Sequence, residues 1–293
     1  MARWILVAAL LALAPIAAYG AYALHIRLTY VNLSALPEDG IALCSDETLR
    51  DGKTVLIALG DSLTRANMSF DYVGTAAAQL GENYLVLRHA TNGITASDLA
   101  DDLGGVIACQ PDLITLMIGT NDALYADPAP IAKAEAWPET RQAFGAMIGR
   151  LKAETLAEIA VFSLPHAGDG ATGGLNQRVS ALSDVLTADA ASAGITVLPL
   201  RARQSEQLAK AANPNRVPCD TLEQGRTYMK DVLKVARQRG ATVDYDALAS
   251  ATGHTLTVDC IHMSAISGKL AADLLVAFAK ATTPQERLYT PDQ

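Results

Sequence analysis

Asp259-Cys260-Ile261-His262 sets a carboxylate three residues before an imidazole. A neutral imidazole takes a proton readily near pH 7. A carboxylate beside it fixes its tautomer and stabilises the cation that forms. Ser62 offers that base a nucleophile, in Gly60-Asp61-Ser62-Leu63, where the apolar run Thr54 to Leu59 breaks off. Alone, each signal is weak: a serine between a strand and a helix is more often a helix cap, and Asp and His are common in loops.

Two further short motifs carry backbone or amide donors. Gly119-Thr120-Asn121-Asp122 follows the apolar run Leu113 to Ile118. Acyl transfer develops an oxyanion that needs preorganised donors about 3 Å away, and the Asn121 amide is one candidate. Asn92-Gly93 follows the run Tyr84 to Arg88. A glycine there lets the backbone approach a ligand and present its N–H, although Asn-Gly is also a plain turn signal.

All these motifs need a common rim. Thr54 to Leu59, Tyr84 to Arg88, Leu113 to Ile118, Ile159 to Leu164 and Ile195 to Leu200 read as short, doubly buried strands. Tyr72 to Leu80, Ala96 to Leu103, residues 139–156 and Leu175 to Ala193 read as the helices between them. In residues 139–156, Phe144, Met147, Ile148 and Leu151 recur at helical spacing. Such alternation predicts an α/β fold, a mostly parallel five-stranded sheet covered by helices on both faces. Sites in these sheets lie at the carboxyl ends of the strands. Residues 201–257 break the pattern and read as an insertion or cap, with a charged helix over Thr221 to Arg239. A last helix runs from Ser264 to Ala279, and a polar tail follows Thr282.

Taken in chain order, these residues resemble the GDSL/SGNH hydrolase family, whose name lists the same four residue types. Gly60-Asp61-Ser62-Leu63 matches the first block, Gly93 the second, Gly119-Thr120-Asn121-Asp122 the third and Asp259-Cys260-Ile261-His262 the last. The resemblance spans residues 54 to 279. It implies a three-layer α/β/α flavodoxin-like fold over about residues 53–282 and ester hydrolysis with neither metal nor cofactor. It assigns Ser62 as nucleophile, His262 as base and Asp259 as the group that orients it. The oxyanion donors would be the Ser62 N–H, the Gly93 N–H and the Asn121 side chain. Met263 stands where a proline often follows the histidine, and the long 201–257 segment leaves substrate choice open among lipid, carbohydrate O-acyl and small esters. Asp122 reads as a loop brace, and His89, His166 and His254 as satisfied histidines.

Composition narrows the classes further. Half the residues are hydrophobic and 18% are charged, which excludes a disordered chain. The net charge of −8, with no Lys/Arg cluster, argues against a nucleic-acid partner. Gly60-Asp61-Ser62 continues as Leu63-Thr64-Arg65, so the first strand lacks a phosphate-cradling glycine loop. A non-catalytic binding protein on the same scaffold is the remaining rival. Arg3 precedes an apolar run from Trp4 to Leu24, which suits either a cleaved signal or a single-helix membrane anchor over residues 1–29. Both readings place the rest of the chain outside the cytoplasm, with residues 30–52 as a lead-in. The oligomeric state is not written in the sequence. Cys44, Cys109, Cys219 and Cys260 permit two disulfides in three pairings, or free buried thiols. A Cys219–Cys260 bridge would pin the 201–257 segment to the Asp259–His262 loop.

Overall fold

The computed structural model describes residues 39–125, 137–170, 172–210, 219–221 and 244–282. Strand β1, Thr54–Gly60, is buried along nearly all its length, so it must lie between two helical layers. With β2 (Tyr84–Ala90), β3 (Leu113–Met117), β4 (Glu158–Phe162) and β5 (Thr196–Leu198) it forms one sheet in the order β2-β1-β3-β4-β5. All four pairings are parallel. The helices in chain order are α1 (Glu47–Arg50), α2 (Ser62–Arg65), α3 (Tyr72–Leu80), α4 (Ala96–Asp101), α5 (Gly104–Cys109), α6 (Thr120–Tyr125), α7 (Pro138–Glu154), α8 (Gly174–Ser192), α9 (Leu200–Lys210), α10 (Tyr245–Ala251) and α11 (Ala265–Ala281). Helix α11 packs on α3 and α9, while α7 packs on α4 and α8. The result is the expected three-layer α/β/α architecture.

The chain leaves β1 to build β2 on one side and then crosses to build β3 on the other, so the direction of winding reverses at β1. A crevice opens at such a switch point, beyond the carboxyl ends of the strands. Register fixes its floor: Gly60 pairs with Ala90 on one side and Met117 on the other. Three loops, carrying Ser62, Gly93 and Asn121, therefore emerge side by side.

Two elements differ from the sequence expectation. The helix expected over Ala96 to Leu103 ends at Asp101, and a second begins at Gly104. The alternation also runs one element further, because Leu200–Lys210 is a helix. Its buried stripe is Leu200, Gln204 and Leu208. A glutamine in the middle hides the apolar periodicity, and that glutamine is satisfied by donating to Ser267 Oγ on α11. The helix expected over Thr221 to Arg239 lies almost wholly outside the described residues, as do the 1–29 segment and the tail. Among the described residues no helix is long and apolar enough to cross a membrane.

The lead-in is fastened from Asp39 onward. Gly40 bridges Arg88 of β2, and the Arg88 guanidinium reaches Asp39 at 2.6 Å and Asp71 at 2.9 Å. Cys44 is bonded to Cys109 at the end of α5, and Arg50 donates to the Cys109 carbonyl at 2.9 Å.

Candidate active site

Ser62 opens α2 immediately beyond β1, and the buried Asp61 caps it by accepting from Leu63 N–H at 2.9 Å. The turn must be tight. A Cβ at Gly60 would lie 2.5 Å from the Met117 carbonyl and collide with Thr64 Oγ1. Only glycine leaves room for β1 and β3 to run together this close to the serine.

The Asp259–His262 loop is held from both ends. Val258 N–H donates to the His262 carbonyl, and Ser264 N–H to the Leu256 carbonyl. Ser264 then caps α11 by accepting from Ser267 N–H. Within the loop, Asp259 Oδ1 accepts from the Ile261 and His262 N–H groups at 3.0 and 2.7 Å. Its other oxygen, Oδ2, faces His262 Nδ1 at 2.7 Å. Cys260 sits in the left-handed region at φ +76°, a conformation that costs a non-glycine residue energy. Its bond to Cys219, with Cα atoms 5.8 Å apart, holds it there. The bridge conditionally expected between the 201–257 segment and this loop is thus present.

His262 Nε2 lies 3.0 Å from Ser62 Oγ. An ionised carboxylate only accepts, so Nδ1 carries the ring proton and Nε2 presents a lone pair to the serine hydroxyl. All three side chains are buried: Ser62 is 7% exposed, His262 2% and Asp259 0%. Burial pushes the His262 imidazole down, but the Asp259 charge and hydrogen bond outweigh it, helped by Asp61, and the net shift is upward.

Asn121, the second residue of α6, donates from Nδ2 to the Ile94 carbonyl at 2.9 Å, with Asp61 Oδ2 3.5 Å away. Gly93 lies in the neighbouring loop at φ +77°, a left-handed conformation that favours glycine. Thr91 N–H donates to the Gly60 carbonyl at 3.3 Å and ties that loop to the serine turn. Asp122 accepts from Ala96 N–H at 3.0 Å, the brace its position suggests.

Met263 has a use for the N–H that a proline would lack. It donates to Ser69 Oγ at 3.0 Å, while the Met263 carbonyl accepts from Phe70 N–H. His166 is satisfied between Asn176 and Ser205. His89 contacts the Asp102 carbonyl at 2.8 Å.

Sequence reasoning missed three features. Asp61 is a buried acid whose burial raises its carboxyl to about 7, against the Leu63 N–H and the His262 charge, which favour the ionised form. His254 faces the two bonded sulfurs of Cys219 and Cys260. A cavity of about 460 Å³ adjoins Asp122, lined by Thr95, Ser97, Tyr125, Trp137, Glu139 and Thr140 among others. The aromatic residues at 125 and 137 were the available signal for it, but they belong to no strand or helix periodicity that would mark them as one wall.

Residues 58–222 match the profile of the GDSL-like lipase/acylhydrolase family. That span covers Ser62, Gly93 and Asn121 and stops short of Asp259 and His262. No curated protein matches the chain. Among solved structures, the acetylxylan esterase from Geobacillus stearothermophilus superposes with a TM-score of 0.53 at 16% identity, over 77% of this chain and 94% of that one. The acetyl xylan esterase AlAXEase gives 0.51 at 16%, over 76% and 98%. An alpha/beta hydrolase from the metagenome of Lake Arreo, Spain, gives 0.53 at 15%, over 80% and 99%. These likenesses speak to the fold, while the profile match covers more than half the chain and its first and third motifs. The chain belongs to the GDSL-like lipase/acylhydrolase family and is a carboxylic ester hydrolase.

Proposed function

We propose that the protein cleaves acyl esters through an acyl-enzyme on Ser62. One observation carries this reading: the unbroken path from Ser62 Oγ to His262 Nε2 at 3.0 Å and from His262 Nδ1 to Asp259 Oδ2 at 2.7 Å. His262 takes the hydroxyl proton as Ser62 Oγ attacks the ester carbonyl. The proton then passes to the departing alcohol, and water, activated by the same imidazole, releases the acid. Asp259 holds the ring and stabilises the imidazolium between these steps. The Ser62 N–H, the Gly93 N–H and the Asn121 amide receive the negative charge on the carbonyl oxygen. Support also comes from catalytic mutants of the Geobacillus stearothermophilus esterase, which replace a serine, an aspartate and a histidine. In that enzyme the aspartate and histidine stand three residues apart, as Asp259 and His262 do.

The substrate is an acylated neutral polyol, as in an O-acylated sugar. The cavity beside Asp122 offers two aromatic rings, one of them the exposed Tyr125, with hydroxyls from Thr95, Ser97 and Thr140. The carboxylates of Asp122 and Glu139 line it and disfavour anionic headgroups. Both disulfides suit an oxidising compartment, so the enzyme acts outside the cytoplasm.

A fluorophosphonate probe with peptide mapping tests the mechanism, with p-nitrophenyl acetate assayed in parallel. Labelling of Ser62 that vanishes in His262→Ala, together with ester turnover, is expected. Labelling elsewhere, or turnover that survives Ser62→Ala, overturns it.

A further inference from the structure

Cys219, His254 and Cys260 meet in the interior, behind the Asp259–His262 loop. All three are buried, and their ligand-capable atoms lie within 4.8 Å of one another. His254 Nε2 is 3.3 Å from Cys219 Sγ and 3.8 Å from Cys260 Sγ. Among the described residues this is the one group of three or more His, Cys, Asp or Glu side chains that could hold a metal ion.

The tautomer of His254 follows from its other contact. Thr252 Oγ1 has a single hydrogen, directed at the Ala249 carbonyl (2.9 Å) or the Val258 carbonyl (3.2 Å). With that hydrogen on a carbonyl, Oγ1 accepts from His254 Nδ1–H, 3.0 Å away. Nε2 is left with its lone pair towards the sulfurs. An Nδ1–H held by an oxygen is also the arrangement that orients metal-bound histidines.

We propose that, once a dithiol reductant opens the Cys219–Cys260 bond, these three residues form a binding site for a thiophilic divalent cation such as Zn²⁺. Tetrahedral zinc holds sulfur at about 2.3 Å and nitrogen at about 2.0–2.1 Å, which separates a sulfur from a nitrogen by roughly 3.6 Å and two sulfurs by roughly 3.8 Å. The observed nitrogen–sulfur distances of 3.3 and 3.8 Å already bracket the first value. Only the sulfurs need to separate, by roughly 1 Å each from bonding distance. The chemistry balances. The reductant becomes a cyclic disulfide as the protein gains two thiols, and the cation displaces two protons to solvent. Two thiolates and a dication sum to zero charge, which suits a buried pocket. This site is independent of the ester-hydrolase reading, since neither sulfur nor His254 enters that mechanism.

The test uses the whole protein, reduced anaerobically with dithiothreitol, desalted, and titrated with Co²⁺. Expected are tetrahedral d–d bands with a sulfur-to-cobalt charge-transfer band at one ion per chain, all bleached by Zn²⁺. The bands should be absent from the oxidised protein and from Cys219→Ser, which excludes the Cys44–Cys109 thiols as their source. In His254→Ala the affinity should fall by at least about tenfold, as for loss of a metal-site contact elsewhere. Unchanged affinity in His254→Ala, full binding by Cys219→Ser, or no tetrahedral bands in the reduced protein would each overturn the proposal. So would loss of the near-ultraviolet circular dichroism on reduction, because no preformed ligand set would then remain.

Discussion

Asp259 holds His262 with both oxygens, Oδ1 on its backbone N–H and Oδ2 on its ring nitrogen, each at 2.7 Å. The two contacts make different demands. In Asp259→Asn the amide oxygen can still accept from the backbone, leaving the NH₂ against Nδ1. The ring proton then moves to Nε2, where it faces Ser62 and blocks proton removal. Asp259→Asn should fold normally and lose about 10⁴ in kcat, the cost of the wrong tautomer in a triad. A loss of less than tenfold, with the fold intact, would remove Asp259 from the mechanism.

Asn121→Ala tests the proposed oxyanion site separately from the proposed base. The Asn121 amide is anchored to the Ile94 carbonyl at 2.9 Å, so it is preorganised before substrate arrives. Asn121→Ala should lower kcat by about 10²–10³ and change KM little, as for one lost oxyanion donor. The split between kcat and KM is the readout, since a general loosening of the site would raise KM as well.

Asp61 gives a pH signature in stability. Its carboxyl is held at about 7 in the folded protein, against an ordinary 3.8, because burial disfavours the charge. The folded chain therefore binds this proton more tightly than the unfolded chain does. The resulting stability is complete below the unfolded value and is lost as pH rises through about 7. Asp61→Asn cannot ionise and can still accept from Leu63 N–H. Its Tm relative to the native protein should rise between about pH 5 and pH 8. A Tm difference that stays constant over that range would show that Asp61 is not neutralised by burial.

Met263 is a stability test of a family departure. Its N–H serves the fully buried Ser69 hydroxyl at 3.0 Å. Met263→Pro deletes that donor and should destabilise by about 1–3 kcal/mol, the cost of leaving a buried polar group unpaired. Met263→Leu, which keeps the N–H, should stay within about 1.5 kcal/mol. Denaturant midpoints of the two variants decide it.

The strands were legible because a doubly covered parallel strand is built almost wholly of apolar residues, as Thr54 to Leu59 and, apart from Thr115, Leu113 to Ile118 are. Ser62, Gly93 and Asn121 stood out because short motifs follow strand runs, and Asp259 and His262 because their motif directly precedes the helix Ala265–Ala281. Helix Leu200–Lys210 was not, since its buried stripe is centred on Gln204, whose partner Ser267 is 63 residues away. His254 was passed over for a similar reason. What it faces is a pair of sulfurs 35 and 6 residues distant. Burial of Asp61 likewise depends on layers the chain adds later. Local pattern reveals what a residue needs from its neighbours in sequence, and it is silent where the need is met across the fold.

Ser62 and His262 are 200 residues apart, one on the first strand's exit and the other at the threshold of the last helix. At about 5–20 residues per second, synthesis reaches His262 roughly 10–40 s after Ser62. In the proposed mechanism the Ser62–His262 pair is complete only when α11 docks against α3 and brings the imidazole with it. In refolding, the proposed ester-hydrolase activity should therefore return only after the sheet has formed and α11 has docked.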